Sequence, residues 1–331
     1  MLLGLANYIE APFSQTVLPS VERPLFDTVW DTKRWGKLRT HDLLYQKNEE
    51  LMMHKSAVMS IAHSTDGEML ATGAADGTVK VWKLLSGQCL REFEKAHSKG
   101  VLCICFRKDG SHILTGSHDS LCREFGLRTS RMLKEFRAHS SYVNTCSYLY
   151  DSFVGETSKL LVATGSADGS VIVWDGKSAE ALSVIRPGSN ISVDGNITTN
   201  LGDAIEGQNI HTVISLHSPP QTLLVVPRGP KAFLLSYTGT VYRIYERNDV
   251  QPGSESSIFV AATVSPSNKR LFCATEDGKC VSFDVATGKM ESCFDLATEA
   301  EITGLLHHPH QGLIASFSSH KGVRGIVRIW D

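Results

Sequence analysis

The sequence predicts an all-β fold built from repeated four-stranded blades of propeller type, and three observations carry that expectation. Three stretches of the chain align with one another: EMLATGAADGTVKVWKLLSGQCL from Glu68, SHILTGSHDSLCREFGLRTSRML from Ser111, and KLLVATGSADGSVIVWDGKSAEAL from Lys159. Each places Asp-Gly, or Asp119-Ser120 in the second, between two apolar runs, where a tight hairpin needs positive backbone angles. The turn aspartates stand at 76, 119, 168 and 277, and their spacing fits a blade of about 40 to 45 residues, once or in multiples.

Taken in chain order, PLFDTVWD (24–31) reads as the third strand of a first blade. Only 29 residues precede Trp30, fewer than a closing strand and two inner strands need at about five to six residues each, so this blade is either heavily degenerate or truncated. Residues 1–25 are then an irregular or degenerate first-blade segment. Further third strands end near Trp82, Phe125, Trp174, Leu235, Phe283 and Trp330, which with Trp30 makes seven blades. Asp168 and Asp277 are 109 residues apart, two blades with a surplus. Residues 186–209, RPGSNISVDGNITTNLGDAIEGQN, are polar and aperiodic and read as an inserted loop that supplies the surplus. After it HTVISL, TLLVV, KAFLLS and VYRIY give a degenerate blade in which Arg228-Gly229-Pro230 replaces the Asp-Gly turn. Ser319-His320-Lys321 reads as the turn of the last blade and GIVRIWD (325–331) as its third strand. A fourth strand from near residue 1 would close the ring and remove an open edge, making residues 1–331 one propeller domain.

Composition narrows the function. The formal charge of −2 gives no global basic field, so direct RNA contact is expected to be weak at most. The eight cysteines form no CxxC pair and several lie in strand-like runs, VLCICF and LFCAT, where cysteine acts as a small hydrophobe; no zinc site follows. MLLGLANYIEAPF has neither a basic region nor a long apolar span, so a secretory signal or membrane helix is not supported and a reducing compartment is expected. The sequons at Asn190 and Asn196 matter only in a secreted chain. There is no GxSxG elbow, Walker loop or HExxH pair, and no enzyme, cofactor or small-molecule substrate is expected.

Four positions recur around each good turn: His54, Thr72, Asp76 and Trp82; His97, Thr115, Asp119 and Phe125; His139, Thr164, Asp168 and Trp174. Although His, Asp and a hydroxyl suggest a hydrolase triad, their repetition in register with a hairpin points to structure. Period, turn chemistry and these positions together make residues 26–331 resemble WD40 β-propellers. That resemblance implies a buried relay in which the turn Asp accepts from His, His contacts Thr, and Thr reaches the Trp indole. Phe125 has no indole N–H, so the second relay is expected to be shorter.

A narrower resemblance lies in MLATGAADGTVKVWKLLSGQCLREFEKAHSKGV, LKEFRAHSSYVN and ITGLLHHPHQGLIAS, which are similar to the propeller of Smu-type WD40 splicing factors, the spliceosomal family that partners RED. It implies a nuclear, non-catalytic scaffold in pre-mRNA splicing that holds RED-type and other spliceosomal proteins. The alternative is an adaptor in another assembly, such as a ubiquitin-ligase substrate receptor or a transcription-complex subunit. The family's N-terminal helical LisH-type region has no counterpart read here, so self-association through it is not expected. Partner contacts are expected at exposed residues beside the relay histidines: Lys95, Ser98, Lys99, His118, Ser141 and Tyr142. His307, His308 and His310 read as a surface loop, not a metal site, and the basic residues Arg123, Arg128, Arg131, Lys134 and Arg137 as a solvated blade edge.

Overall fold

The computed structural model describes residues 37–39, 54–84, 86–150, 160–186, 192–193, 196–197, 208–216, 221–247, 258–296, 301–307, 313–320 and 324–330. Among these residues the chain is all β. Six antiparallel sheets have four strands, and five of them run in simple chain order. The first holds β2 (Val58–His63), β3 (Met69–Ala74), β4 (Val79–Lys83) and β5 (Cys89–Phe93). The second holds β6 (Val101–Phe106), β7 (His112–Ser117), β8 (Cys122–Gly126) and β9 (Arg131–Phe136). The third holds β10 (Val143–Tyr150), β11 (Leu160–Ser166), β12 (Val171–Asp175) and β13 (Ala181–Ile185). The fourth holds β16 (Ile210–Leu216), β17 (Thr222–Pro227), β18 (Lys231–Ser236) and β19 (Val241–Glu246), and the fifth β20 (Phe259–Val264), β21 (Arg270–Thr275), β22 (Lys279–Asp284) and β23 (Met290–Asp295). In the sixth, β24 (Glu301–His307), β25 (Ile314–His320) and β26 (Arg324–Trp330) are joined by β1 (Lys37–Arg39).

The chain divides into two compact units. One comprises Met1–Lys47, Gly229–Lys231 and Tyr245–Asp331, and the other Asn48–Arg228 and Ala232–Ile244. In the larger unit the sheets pack face to face through continuous apolar layers. Ala71, Val79, Val81 and Phe93 of the first sheet meet Val101, Ile104, Ile113 and Phe125 of the second. Leu114, Cys122 and Phe136 meet Val143, Tyr148, Ile172 and Trp174 of the third, with Phe136 edge-on to Trp174 at 5.5 Å between ring centroids. In the smaller unit Phe272, Ala274 and Leu296 pack with Ile302, Leu305, Ile314 and Trp330. Each aromatic or branched side chain taken fully out of water contributes about 1.5–3 kcal/mol before ordering costs.

The Thr-Gly pair of the repeat sets the sheet spacing. A Cβ on Gly73 would lie 2.7 Å from Val101 Cγ1, on Gly116 2.8 Å from Val143 Cγ1, and on Gly165 2.7 Å from Ile210 Cγ2 and 3.0 Å from Val213 Cγ2. Only glycine lets the next inner strand come this close. The Asp-Gly turns use the other property of glycine, with Gly77, Gly169 and Gly278 at φ of 83°, 78° and 81°, while the second blade forces Ser120 to 69°.

Several expectations change. The strand that pairs with β26 is β1 at 37–39, not a segment near residue 1: Lys37 lies opposite Trp330 and Arg39 opposite Ile329 across a bulge. This partner directly precedes the first complete sheet in the chain, so residues 1–36 come before it. Six four-stranded sheets are present among the described residues against the seven expected, and PLFDTVWD lies outside those residues. Ser319 and His320 belong to strand β25 instead of a turn, opposite Gly325 and Arg324 of β26. Within the 186–209 insertion, β14 (Ser192–Val193) pairs with β15 (Asn196–Ile197), on either side of Asp194-Gly195 in the sequence. Apart from Arg186, Gln208 and Asn209, the rest of that segment lies outside the described residues.

Two substitutions test this packing. Gly165→Ala should destabilise by about 1–3 kcal/mol in urea unfolding, because three branched side chains confine the added methyl. Ser120→Gly should stabilise by up to about 1 kcal/mol, since it releases a left-handed strain.

Candidate functional site

Each relay is assembled by a residue before the inner strand, a threonine in the second strand, the turn and a residue in the third strand. In the third blade Trp174 Nε1–H donates to Thr164 Oγ1 at 2.8 Å, Thr164 lies 2.8 Å from His139 Nε2, and His139 Nδ1 lies 3.0 Å from Asp168 Oδ2. The Asp168 carboxylate can only accept, so Nδ1–H donates to it, and in the neutral ring Nε2 then accepts the threonine proton while the threonine oxygen accepts from the indole. The chain of donors fixes one neutral tautomer. Ser170 Oγ–H donates to the other carboxylate oxygen, Oδ1, at 2.5 Å, and Ser140 N–H donates to Oδ2 at 3.0 Å.

The second blade keeps His97 Nδ1 3.0 Å from Asp119 Oδ2 and His97 Nε2 2.8 Å from Thr115 Oγ1. Phe125 offers no donor, and Thr115 Oγ1 reaches the Arg123 carbonyl at 3.3 Å. The first blade differs from the implied order. His54 Nε2 is 2.7 Å from Thr72, which accepts from Trp82 Nε1–H at 2.9 Å, but His54 Nδ1 faces Thr78 Oγ1 at 3.0 Å. Thr78 in turn donates to Asp76 at 2.7 Å. A hydroxyl has been inserted between the histidine and the acid. Its signal was in the sequence, since threonine stands two residues after Asp76 where leucine stands after Asp119.

Burial and Lys80 hold the His54 pKa below its ordinary value against Asp76; burial holds that of His139 low against Asp168. Burial pushes the carboxyls of Asp119 and Asp168 up, yet His97 with Ser98 N–H holds Asp119 well below its usual range, and Ser170 with Ser140 N–H and His139 holds Asp168 below its own.

The partner-contact candidates sit around these turns in one unit. Lys95, Ser98 and Lys99 are exposed, and Ser98 N–H donates to Asp119 at 3.1 Å. His118 and Ser141 are half-buried, and the Ser141 and Tyr142 carbonyls accept from Ser166 Oγ. Tyr142 is 37% exposed and stands edge-on to His118 at 5.3 Å, while Val58 and Met59 at the start of β2 are exposed by 50% and 42%. Tyr142 thus joins two blades through its backbone and one ring edge, and presents the rest of the ring outward.

Two other expectations are corrected. His307 is a buried end residue of β24, with its N–H on Thr263 Oγ1 at 3.2 Å and its ring 5.9 Å from Phe272; His308 and His310 lie outside the described residues. The basic stretch is largely neutralised: Arg123 and Arg137 both pair with Glu135 at 2.8 Å, and Lys134 pairs with buried Glu124 at 2.9 Å. Glu124 also accepts from Tyr148 O–H at 2.9 Å and so ties the second sheet to the third. Among the described residues no group of His, Cys, Asp and Glu is arranged to hold a metal, and no helix is long and apolar enough to cross a membrane.

Four-stranded antiparallel sheets, tight aspartate turns and indole-to-carboxylate relays define a class, the WD40-repeat propellers, and the WD domain, G-beta repeat model matches residues 46–83, 87–125 and 130–175. The chain thus carries WD40 repeats over these residues. It is similar to the WD40 repeat-containing protein smu1 of Dictyostelium discoideum, 35% identical over 305 residues. The match covers 92% of this chain and 52% of that protein, so the chain spans about half of the relative's length.

Two outcomes check the relay. Asp168→Ala should cost about 1–3 kcal/mol, since it strands the His139 N–H and Ser140 N–H. A change below about 0.5 kcal/mol, the size of an ordinary surface effect, would remove the relay reading. Acidification provides the second. A histidine whose folded pKa is depressed contributes stability in full above its unfolded value of about 6.5 and loses it as pH falls toward the folded value. Depressed aspartates act the same way below about 4. The urea midpoint should therefore fall between pH 7 and 5, and fall less in His139→Gln.

Proposed function

We propose that this chain is a non-catalytic scaffold in pre-mRNA splicing, working in the nucleus and holding RED-type and other spliceosomal proteins on the face formed by its relay turns. The observation that carries the reading is the extent of the match: 35% identity over 92% of the chain to a Smu-named WD40 protein, beside the Smu-type phrases in the sequence. The geometry supplies a means. Rigid turns pinned by buried hydrogen bonds hold Lys95, Ser98, Lys99, His118, Ser141 and Tyr142 in fixed positions, and a rigid surface binds without a large ordering cost. Tyrosine is favoured at the centre of protein interfaces, and Tyr142 is 37% exposed with its ring edge on His118.

The test is affinity purification of the tagged chain from nuclear extract in moderate salt, read by mass spectrometry. Recovery of RED with spliceosomal proteins supports the proposal; recovery of cullin-type ligase subunits in their place overturns the splicing role and keeps the scaffold. Tyr142→Ala should lower partner recovery about tenfold or more with an unchanged melting temperature, the loss typical of an interface hot spot. If melting and recovery fall together, Tyr142 is a packing residue.

A further inference from the structure

At the strand ends opposite the relay turns, the first and second sheets leave a groove of about 300 Å³. Met69, Val81, Leu90 and Leu127 form its apolar lining, and Gly110, Ser111, Arg91 and Arg128 complete it. Arg91 is half-buried and spends Nε–H on the Leu127 carbonyl at 2.7 Å and Nη1–H on the Leu90 carbonyl at 2.6 Å. Arg128 is exposed. Elsewhere guanidinium groups of these sheets face carboxylates: Arg107 meets Asp109, and Arg123 and Arg137 meet Glu135. Among the described residues Arg91 and Arg128 meet none. A fixed, half-buried cation without its anion, at the edge of an apolar slot, is an unfilled half of an ion pair.

We infer that this groove is a second docking site, separate from the relay-turn face, for an acidic peptide segment of a partner protein whose aliphatic side chains enter the slot while its carboxylates reach Arg91 and Arg128. Charge complementarity sets the occupant. The acids nearest the lining residues Gly110 and Ser111 are already engaged, Asp66 by Ser64 and Glu68 N–H and Asp109 by Ser111 and Arg107, so the charge the groove has to offer is that of the two arginines. Methionine suits a slot that must adapt to leucine or isoleucine. Single-stranded nucleic acid, the other polyanion, binds by stacking bases on aromatic rings, and no lining residue is aromatic.

The probe is a short peptide, blocked at both ends, in which a Leu-Leu pair is flanked on each side by Asp and Glu; its control replaces every Asp and Glu by Asn and Gln. Methyl NMR of the whole 331-residue chain reads Met69, Leu90 and Leu127. The acidic peptide should shift these methyls saturably, the control should bind about tenfold more weakly, and Arg128→Glu should weaken the acidic peptide by about tenfold without changing the melting temperature. Tyr142→Ala should leave this binding unaltered, so failure here and failure on the turn face read out separately. Absence of shifts at Met69 and Leu90, equal binding of the control, or insensitivity to Arg128→Glu overturns the inference. Displacement of the acidic peptide by oligouridine with the same methyl shifts also overturns it, in favour of a nucleic-acid site.

Discussion

The larger unit depends on one pair of residues repeated three times, the threonine and glycine of the second strand in each good blade. Glycine has no side chain to keep the next inner strand away, and Val101, Val143 and Ile210 occupy the space. Threonine, one residue earlier, is buried beside it at no more than 1% exposure and would be costly there without partners. The relay answers that cost. Close sheet approach demands burial, burial demands full hydrogen bonding, and the hydrogen bonding fixes the turn that carries the exposed residues.

The three relays show how much variation the constraint allows. In the third blade every donor and acceptor is matched, from the Trp174 indole to Asp168. In the second blade Phe125 removes the indole donor, and the Thr115 hydroxyl lies within a long 3.3 Å donating bond of the Arg123 carbonyl. The Phe93–Phe125 contact at 4.8 Å keeps the apolar part of the tryptophan's role. In the first blade Thr78 lengthens the chain, and its acid, Asp76, is exposed. The part common to all three is Thr-to-His, whereas the acid stands 3.0 Å from the histidine in the second and third blades and beyond the Thr78 hydroxyl in the first.

Turn chemistry and period made the middle of the fold readable from sequence, because Asp-Gly turns and alternating strands are local signals. Trp82, Phe125, Trp174, Leu235, Phe283 and Trp330 all fall in third strands as the alignment implied. The partner of β26 was not readable, since Lys37–Arg39 is a three-residue strand that pairs with the far end of the chain and has no turn to announce it. His307 was misread for the opposite reason: HHPHQ is polar as a string, yet its first histidine closes an apolar strand. The groove beside Arg91 could not be read at all. Its lining comes from residues 69 to 128 on five strands and turns, and which arginine lacks a carboxylate is decided only when Glu135 has chosen Arg123 and Arg137.

The relay turns and the groove stand at opposite ends of the same strands. Between them lie ladders paired without interruption, such as β3 with β4 from Met69 to Gly73, and a core in which Leu70, Ala71, Val81 and Ile113 are at most 2% exposed. Energetic coupling between two sites needs an element with two arrangements, and a close-packed sheet with satisfied hydrogen bonds has one. Two partners held at these ends would therefore bind additively. Additive binding is what an assembly platform needs, because each component can join or leave without releasing the other, whereas a switch would have to loosen the Thr-Gly packing that holds the sheets together.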